Sequence, residues 1–191
     1  MNSTHLSRPA LRRTLLAQRK PNPIADEALR QHLHTVLDQL SPRSIALYWP
    51  IRGEFDARAT VIAWRDQLTF LCTLALPCAT QKNAPLSFLT WDADGAMTTD
   101  VYGIPTPANT LEIYPDVLLI PCVGFSLEAN QRYYRLGYGT GSYDRTLAQR
   151  PAISIGIAYE SGRTSHLHPA PHDIALDYLI TQAGWHRSSV R

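Results

Sequence analysis

Apolar residues recur at helical spacing in two stretches near the start of the chain. Leu11, Leu15 and Leu16 mark one face of a short helix that stops at Lys20-Pro21. The other face of that helix carries Arg8, Arg12, Arg13 and Arg19. Leu29, Leu33, Val36, Leu37 and Leu40 then predict a core-packing helix. It starts at Asn22-Pro23, a capping residue followed by a proline suited to the first helical position, and ends at Ser41-Pro42. Residues 1–6 read as a frayed end. Past Pro42 the pattern turns to short apolar runs bounded by proline, glycine and polar turns. Runs at 44–49, 69–75, 86–91, 97–102, 117–123, 153–158 and 177–181 read as strands. Helical spacing returns at 60–67, through Val61, Ile62 and Trp64, and a helix start reads at 143–149. Asp92-Ala-Asp-Gly95 is a turn signal, so the runs on either side of it read as a hairpin-like pair. Residues 102–107 read as a rigid proline loop and 185–191 as a loose tail. No internal repeat is present. Strands alternating with helices predict an α/β fold: a single three-layer domain over residues 1–191, its sheet mostly parallel but mixed, with helices on both faces.

One stretch does not fit a packing pattern: Arg135-Leu-Gly-Tyr-Gly-Thr-Gly-Ser-Tyr-Asp-Arg145. Glycines stand at every second position, Gly137, Gly139 and Gly141, between an apolar strand and a helix start. In that context backbone N–H groups can wrap a phosphate. Glycine lets the backbone approach, and the helix N-terminus adds a positive dipole end. Arg135 and Arg145 can add charge-assisted bonds to phosphate oxygens. Asp144 can hold the Mg²⁺ that accompanies a nucleotide. Neither the Walker A pattern nor G-x-G-x-x-G is present. Arg8 and Arg12, one helical turn apart, can meet one anion, although a basic helix face is most often solvated. The polar loop 52–58 follows a predicted strand end, the position where α/β sheets bind ligands, which makes Glu54 a candidate substrate contact.

Composition narrows the function classes. Apolar residues make up 45% and charged residues 18%, the balance of a soluble globular protein. A formal net charge of +2, with no interleaving of basic and aromatic residues, argues against nucleic acid. The odd count of three cysteines, without C-x-x-C, and the lack of a signal peptide or long apolar span point to a reducing cytoplasm and no membrane. His166, His168, His172 and Asp173 invite a zinc reading, but their spacing matches no standard zinc motif, and two prolines mark a surface loop.

The chain resembles the 5-formyltetrahydrofolate cyclo-ligase family, also called methenyltetrahydrofolate synthetases, over nearly its whole length. The resemblance rests on Ile120-Pro121, Phe125 and the R-L-G-x-G-x-G-x-Y-D-R run at 135–145. The first-helix arginines, the segment 48–54, Gly103-Ile-Pro105 and His172-Asp173 follow in the family's order. It implies an ATP-dependent closure of 5-formyltetrahydrofolate to 5,10-methenyltetrahydrofolate, with ADP and phosphate released. It further implies that Arg8 and Arg12 bind ATP together with Arg135, Leu136, Gly137, Tyr138, Gly139, Thr140, Gly141, Ser142 and Tyr143. Tyr48, Glu54, Gly139 and Tyr143 would contact the reduced folate, Asp144 and Asp173 would hold Mg²⁺, and Arg145 and Arg135 would be catalytic. A monomer is expected. The alternatives are a non-catalytic folate- or nucleotide-binding relative and an ATP-dependent ligase for another amide or pterin. The chain departs from the family pattern at Arg8 (usually lysine), at Ser126 (usually aspartate), in a longer segment 127–134, at Thr106 (usually glutamate) and around Gly162.

Overall fold

Capping side chains start both N-terminal helices. In α1 (Arg8–Gln18) the Ser7 hydroxyl accepts from the Ala10 N–H, and in α2 (Pro23–Leu40) the Asn22 side chain accepts from the Ala25 N–H at 3.1 Å. The computed structural model describes residues 6–20 and 22–189. Apart from Leu6, the expected frayed end lies outside the described residues, as does Pro21. Ser41 ends α2 in the left-handed conformation, φ 45°.

The remaining elements follow as β1 (Ser44–Ala46), α3 (Arg58–Arg65), β2 (Thr73–Cys78), β3 (Ser87–Thr90), β4 (Met97–Thr99), β5 (Pro105–Pro107), β6 (Val117–Pro121), β7 (Gly124–Leu127), β8 (Tyr133–Leu136), α4 (Ser142–Gln149), β9 (Ile153–Ile157), β10 (Tyr178–Thr181) and β11 (Gly184–Arg187). A short 3₁₀ turn, Glu160–Gly162, follows β9. Seven strands form one sheet in the order β11-β10-β9-β6-β1-β2-β3. From β10 to β2 neighbours run parallel, while the edge strands β11 and β3 are antiparallel.

Strand alternation decides what each face packs against. Ile45, Leu74, Val117, Leu119, Ile155 and Ile180 share one core with Leu29, Leu33 and Leu37 of α2 and Val61 and Trp64 of α3. Ala46, Ala75, Leu118, Ile120 and Leu179 share another with Leu147 of α4 and Phe125 and Tyr133 of the β7–β8 hairpin. Both faces are therefore covered, as parallel strands require. Helix α1 lies off the sheet, and its Leu15 packs with Val123, Leu136 and Leu167.

Several boundaries differ from the sequence reading. The run read at 69–75 forms its strand later, at Thr73–Cys78. The runs flanking the Asp92–Gly95 turn do not pair with each other. β3 joins β2, whereas β4 pairs with the proline segment β5, read above as a loop. Pro105 and Pro107 oppose Thr99 and Met97, and the flanking backbone bonds fall at Asp100–Ile104 and Ala108–Ala96. The prolines thus sit where the ladder needs no donor. The segment 127–134 belongs to the β7–β8 hairpin. The tail read at 185–191 begins as β11, because Trp185 packs against Tyr178 with ring centroids 6.4 Å apart.

The chain order reverses between β1 and β6. β1 leads through α3 to β2 on one side, and β6 leads through α4 to β9 on the other. That reversal opens a crevice at the carboxyl ends of both strands. Beyond the ends of β6 and β9 the backbone crosses itself closely, and a Cβ on Gly162 would lie 2.9 Å from the Val123 carbonyl oxygen and 3.3 Å from Gly124 Cα. Backbone cannot yield as a side chain can. Gly162→Ala is expected to lower stability by about 1–3 kcal/mol, read as a lower urea midpoint at unchanged slope.

Candidate active site

A cavity of about 620 Å³ fills the crevice. One wall is α1, through Arg8 and Arg12. A second is the loop after β1, through Tyr48, Arg52 and Glu54, and a third is the glycine loop with the start of α4. Tyr102 and Ile104 from the segment between β4 and β5 form a rim.

The glycine loop takes its shape from backbone conformation and from arginine contact. Gly139 and Gly141 have φ of +100° and +66°, in the left-handed region that favours glycine. The Arg12 guanidinium lies against Gly139, where a Cβ would stand 3.3 Å from it. Arg12 Nε donates to the Gly137 carbonyl at 2.7 Å. Partial burial and then the neighbouring Arg8 lower the Arg12 pKa. Arg12 makes its one side-chain bond to a neutral carbonyl, so its charge gives this end of the cavity a positive potential suited to an anion.

Two bidentate pairs close this end of the cavity. Arg8 donates to both oxygens of Asp173, at 2.6 and 3.3 Å. Arg135 donates to both oxygens of Asp144, at 2.8 and 3.0 Å. The two pairs are linked through the backbone: the Ala170 N–H donates to Asp173 and the Ile174 N–H to Asp144. Burial pushes the Asp173 pKa up, but its bonds from Arg8 and Ala170 outweigh burial and leave it below the ordinary value. Asp144 and Asp173 are carboxylates, the oxygen donors that Mg²⁺ takes together with phosphate and water, but here both oxygens of each accept from an arginine. Among the described residues no group of three or more His, Cys, Asp or Glu is placed to hold a metal by itself. His166 instead bonds Glu128 at 3.3 Å and stacks near His168, which leaves the zinc reading without support among the described residues.

The opposite end is built on Glu54. Tyr138 donates its hydroxyl to Glu54 Oε1 at 2.6 Å, and the Ile51 N–H donates to Oε2 at 2.9 Å. Burial raises the Glu54 pKa against these bonds and against the nearby Arg19 and Arg52. Tyr48 donates to the Phe55 carbonyl at 2.7 Å, so its ring, not its hydroxyl, is available to the cavity. Burial also raises the pKa values of Tyr48, Tyr138 and Tyr143, which keeps all three as neutral phenols.

This arrangement agrees with comparisons to known proteins. The family model described as the 5-formyltetrahydrofolate cyclo-ligase family matches residues 4–182. The chain belongs to this family. The 5-formyltetrahydrofolate cyclo-ligase of Haemophilus influenzae is 29% identical over 166 residues, covering 82% of this chain and 85% of that protein. That of Mycolicibacterium smegmatis is 29% identical over 192 residues, covering 92% and 93%. A solved 5,10-methenyltetrahydrofolate synthetase from Mycoplasma pneumoniae superposes with a TM-score of 0.71 at 26% identity, covering 93% of this chain and 99% of that one. The synthetase from Aquifex aeolicus superposes at 0.77 with 24% identity and 97% coverage of both chains, a likeness of fold.

Nearly all the residues singled out in the sequence meet in the one cavity: Arg8, Arg12, Tyr48, Glu54, Arg135–Asp144 and Asp173 all line it. Arg145 does not. It is exposed, and its Nη1 donates to the Thr140 carbonyl at 2.5 Å, bracing the loop from outside. Thr106 is buried and donates to the carbonyl of Pro77 in β2 at 3.0 Å, so the departure there anchors the β4–β5 hairpin to the sheet and does not line the cavity itself. Sequence reasoning missed Arg19 and the Tyr138–Glu54 bond. The seven-residue spacing of Arg12 and Arg19, two helical turns, was the available signal for a shared face.

Two outcomes follow from the carboxylate pairs. Asp144→Ala leaves the buried Arg135 without its partner and is expected to cost about 3–5 kcal/mol. Asp173 has a lowered pKa, so its contribution to stability is present above the unfolded carboxylate range and is lost as pH falls through the folded value. Asp173→Asn is therefore expected to be less stable than wild type at neutral pH, with the gap closing as pH falls below about 4; urea titrations at several pH values check this.

Proposed function

We propose that this chain is a 5-formyltetrahydrofolate cyclo-ligase, converting 5-formyltetrahydrofolate to 5,10-methenyltetrahydrofolate with ATP consumed to ADP and phosphate. The observation that carries this reading is that a glycine loop under two arginines and a buried carboxylate–phenol pair share one cavity. Activation and substrate recognition then occur side by side.

The chemistry explains the need for ATP. A formamide oxygen is a poor leaving group, and N10 of the folate is a weak nucleophile. Transfer of the γ-phosphoryl group to the formyl oxygen expels ADP and gives an activated imidate. The N10 lone pair attacks the formyl carbon, N10 loses its proton to water, the C–O bond breaks, and phosphate departs. Such transfer depends on positioning and charge stabilisation more than on covalent participation by the protein.

We assign phosphate binding to the backbone of residues 136–143, with Arg8 and Arg12 supplying charge from α1. Arg135 faces the phosphates as the catalytic cation. Arg145 would have to leave the Thr140 carbonyl to reach them, so here it shapes the loop first. Mg²⁺, held by Asp144 and Asp173, would neutralise charge developing on the phosphates. Glu54 as carboxylate accepts an N–H of the pterin, while the rings of Tyr48 and Tyr143 and the backbone at Gly139 bound the folate. We take residues 1–191 as a single domain acting as a cytoplasmic monomer on small-molecule substrates, without nucleic acid or membrane partners. Among the described residues no helix is long and apolar enough to cross a membrane.

The test is spectrophotometric. Purified protein with 5-formyltetrahydrofolate should develop methenyl absorbance only when MgATP is present. Absorbance that never develops while ATP still binds would sink the reading in favour of a binding protein, and turnover of another amide or pterin would indicate a changed substrate. Gly139→Ala forces a side chain onto a left-handed position beneath Arg12. It is expected to raise the KM for ATP about tenfold or more, equivalent to about 1.4 kcal/mol, with a smaller effect on the KM for the folate.

A further inference from the structure

Arg19 caps the C-terminal end of α1, yet only 6% of its side chain is exposed. Its guanidinium reaches three separate segments of the site. Nη2 donates to the carbonyl of Cys122, just beyond β6, at 2.8 Å. Nη1 donates to the Tyr138 hydroxyl of the glycine loop at 3.3 Å and to the Arg52 carbonyl of the loop after β1 at 3.5 Å. The same Nη1 stands 3.9 Å from Glu54 Oε1. Gly53, at φ +72°, lets the loop close over the stem, with its Cβ position 3.6 Å from Arg19 Cδ. A planar fork with several N–H donors can satisfy acceptors spread in this way. A lysine, with one nitrogen, cannot reach both the Cys122 carbonyl and the Tyr138–Glu54 pair.

The surroundings of Glu54 leave Arg19 as its chief buried cation. From the loop after β1, Arg52 is the other cation, but it is exposed and turned over the Tyr138 ring, 5.6 Å from the centroid. Tyr48 from the same loop, Cys122 from the end of β6, Tyr138 from the glycine loop, Tyr143 from α4 and Tyr159 beyond β9 are the remaining titratable groups near it. The thiol and phenols among them have pKa values pushed up by burial and are neutral at working pH. One Glu54 oxygen is shared with Tyr138 and faces Arg19, and the other is fixed by the Ile51 N–H. A protonated Glu54 would offer a donor where a substrate N–H needs an acceptor, so its ionisation decides whether that contact exists.

We infer that Arg19 is a positioning residue for the reaction, bridging Glu54, Tyr138 and the backbone of Cys122 and Arg52 so that Glu54 meets the substrate as an oriented carboxylate. This rests on the reading of Glu54 as a folate contact. Arg19 need not touch either substrate.

Wild type, Arg19→Met, Arg19→Lys, Glu54→Gln and the Arg19→Met/Glu54→Gln double variant would be compared in steady-state assays with MgATP across the acid-to-neutral range. Arg19→Met is expected to lose about tenfold or more in kcat/KM for the folate and to move the acid limb of that profile up by about one pH unit or more. The KM for ATP should stay near wild type. In the Glu54→Gln background, Arg19→Met should cost little further. Arg19→Lys keeps the cation and should hold the acid limb near wild type while raising the KM for the folate. An acid limb unmoved in Arg19→Met, an equal loss in both backgrounds, or a lysine variant with wild-type KM would overturn the inference. If Arg19→Met does not fold, the lysine variant decides it. A carboxyl ¹³C titration of Glu54 in the ligand-free protein separates this inference from the proposed function. A Glu54 pKa that rises in Arg19→Met supports the Arg19–Glu54 coupling even if wild type forms no methenyl product, and an unchanged value overturns it even if wild type is active.

Discussion

The structure depends on how the arginines of a single helix are satisfied. Arg8, Arg12 and Arg19 leave α1 along one side, and each ends on a different segment: the Asp173 carboxylate, the Gly137 carbonyl and the Cys122 carbonyl. Helix α1 touches the rest of the molecule through a small apolar cluster around Leu15. These polar contacts therefore fix its position as much as packing does. In doing so they close one wall of a cavity whose other walls come from the sheet. A guanidinium taken from water requires acceptors, and here the acceptors are the segments that must converge to form a site.

The sheet supplies the convergence. Strand order reverses between β1 and β6, so the loops after them diverge and leave a crevice at their carboxyl ends. The glycine loop and the Glu54 pocket lie on either side of that crevice. The β7–β8 hairpin carries Arg135 at its C-terminal end directly into the glycine loop, which gives the loop a rigid entry. At its exit, Gly141 in the left-handed conformation starts α4. The loop is thus held at both ends by regular structure and in the middle by Arg12.

Electrostatics divides the cavity in two. At the α1 end, arginines outnumber free carboxylates, since Asp144 and Asp173 are each engaged by an arginine and a backbone N–H. Negative charge is welcome there. At the other end one carboxylate is buried among phenols, its pKa raised by lost hydration. Such a group is sensitive to its nearest cation, because in low dielectric one charge at close range alters protonation strongly. The two ends suit different partners: phosphate at one, and a neutral heterocycle with N–H groups at the other.

Much of this was legible in the chain itself. Leu29, Leu33, Val36 and Leu37 fixed α2 through helical spacing, and alternating glycines marked the loop, because local periodicity and backbone freedom are properties of short segments. The run at 135–145 pointed to the family, because eight fixed residue types in eleven make a specific pattern, while the glycines and charges alone left a phosphate cradle and a surface turn both open. What the sequence could not decide was which neighbouring segments pair. Strand β4 found β5 and not β3, the residues after Thr181 turned back as β11, and residues 124–136 became a hairpin, because several adjacent segments were compatible with pairing and only packing on the rest of the fold selected among them. Arg19 shows the same limit for a side chain. On paper it is one of several basic residues on a helix face. Only tertiary structure brings the Cys122 carbonyl, Tyr138 and Glu54 within its reach, because those acceptors lie on segments separated by 35 to 119 residues from it and are assembled by the sheet.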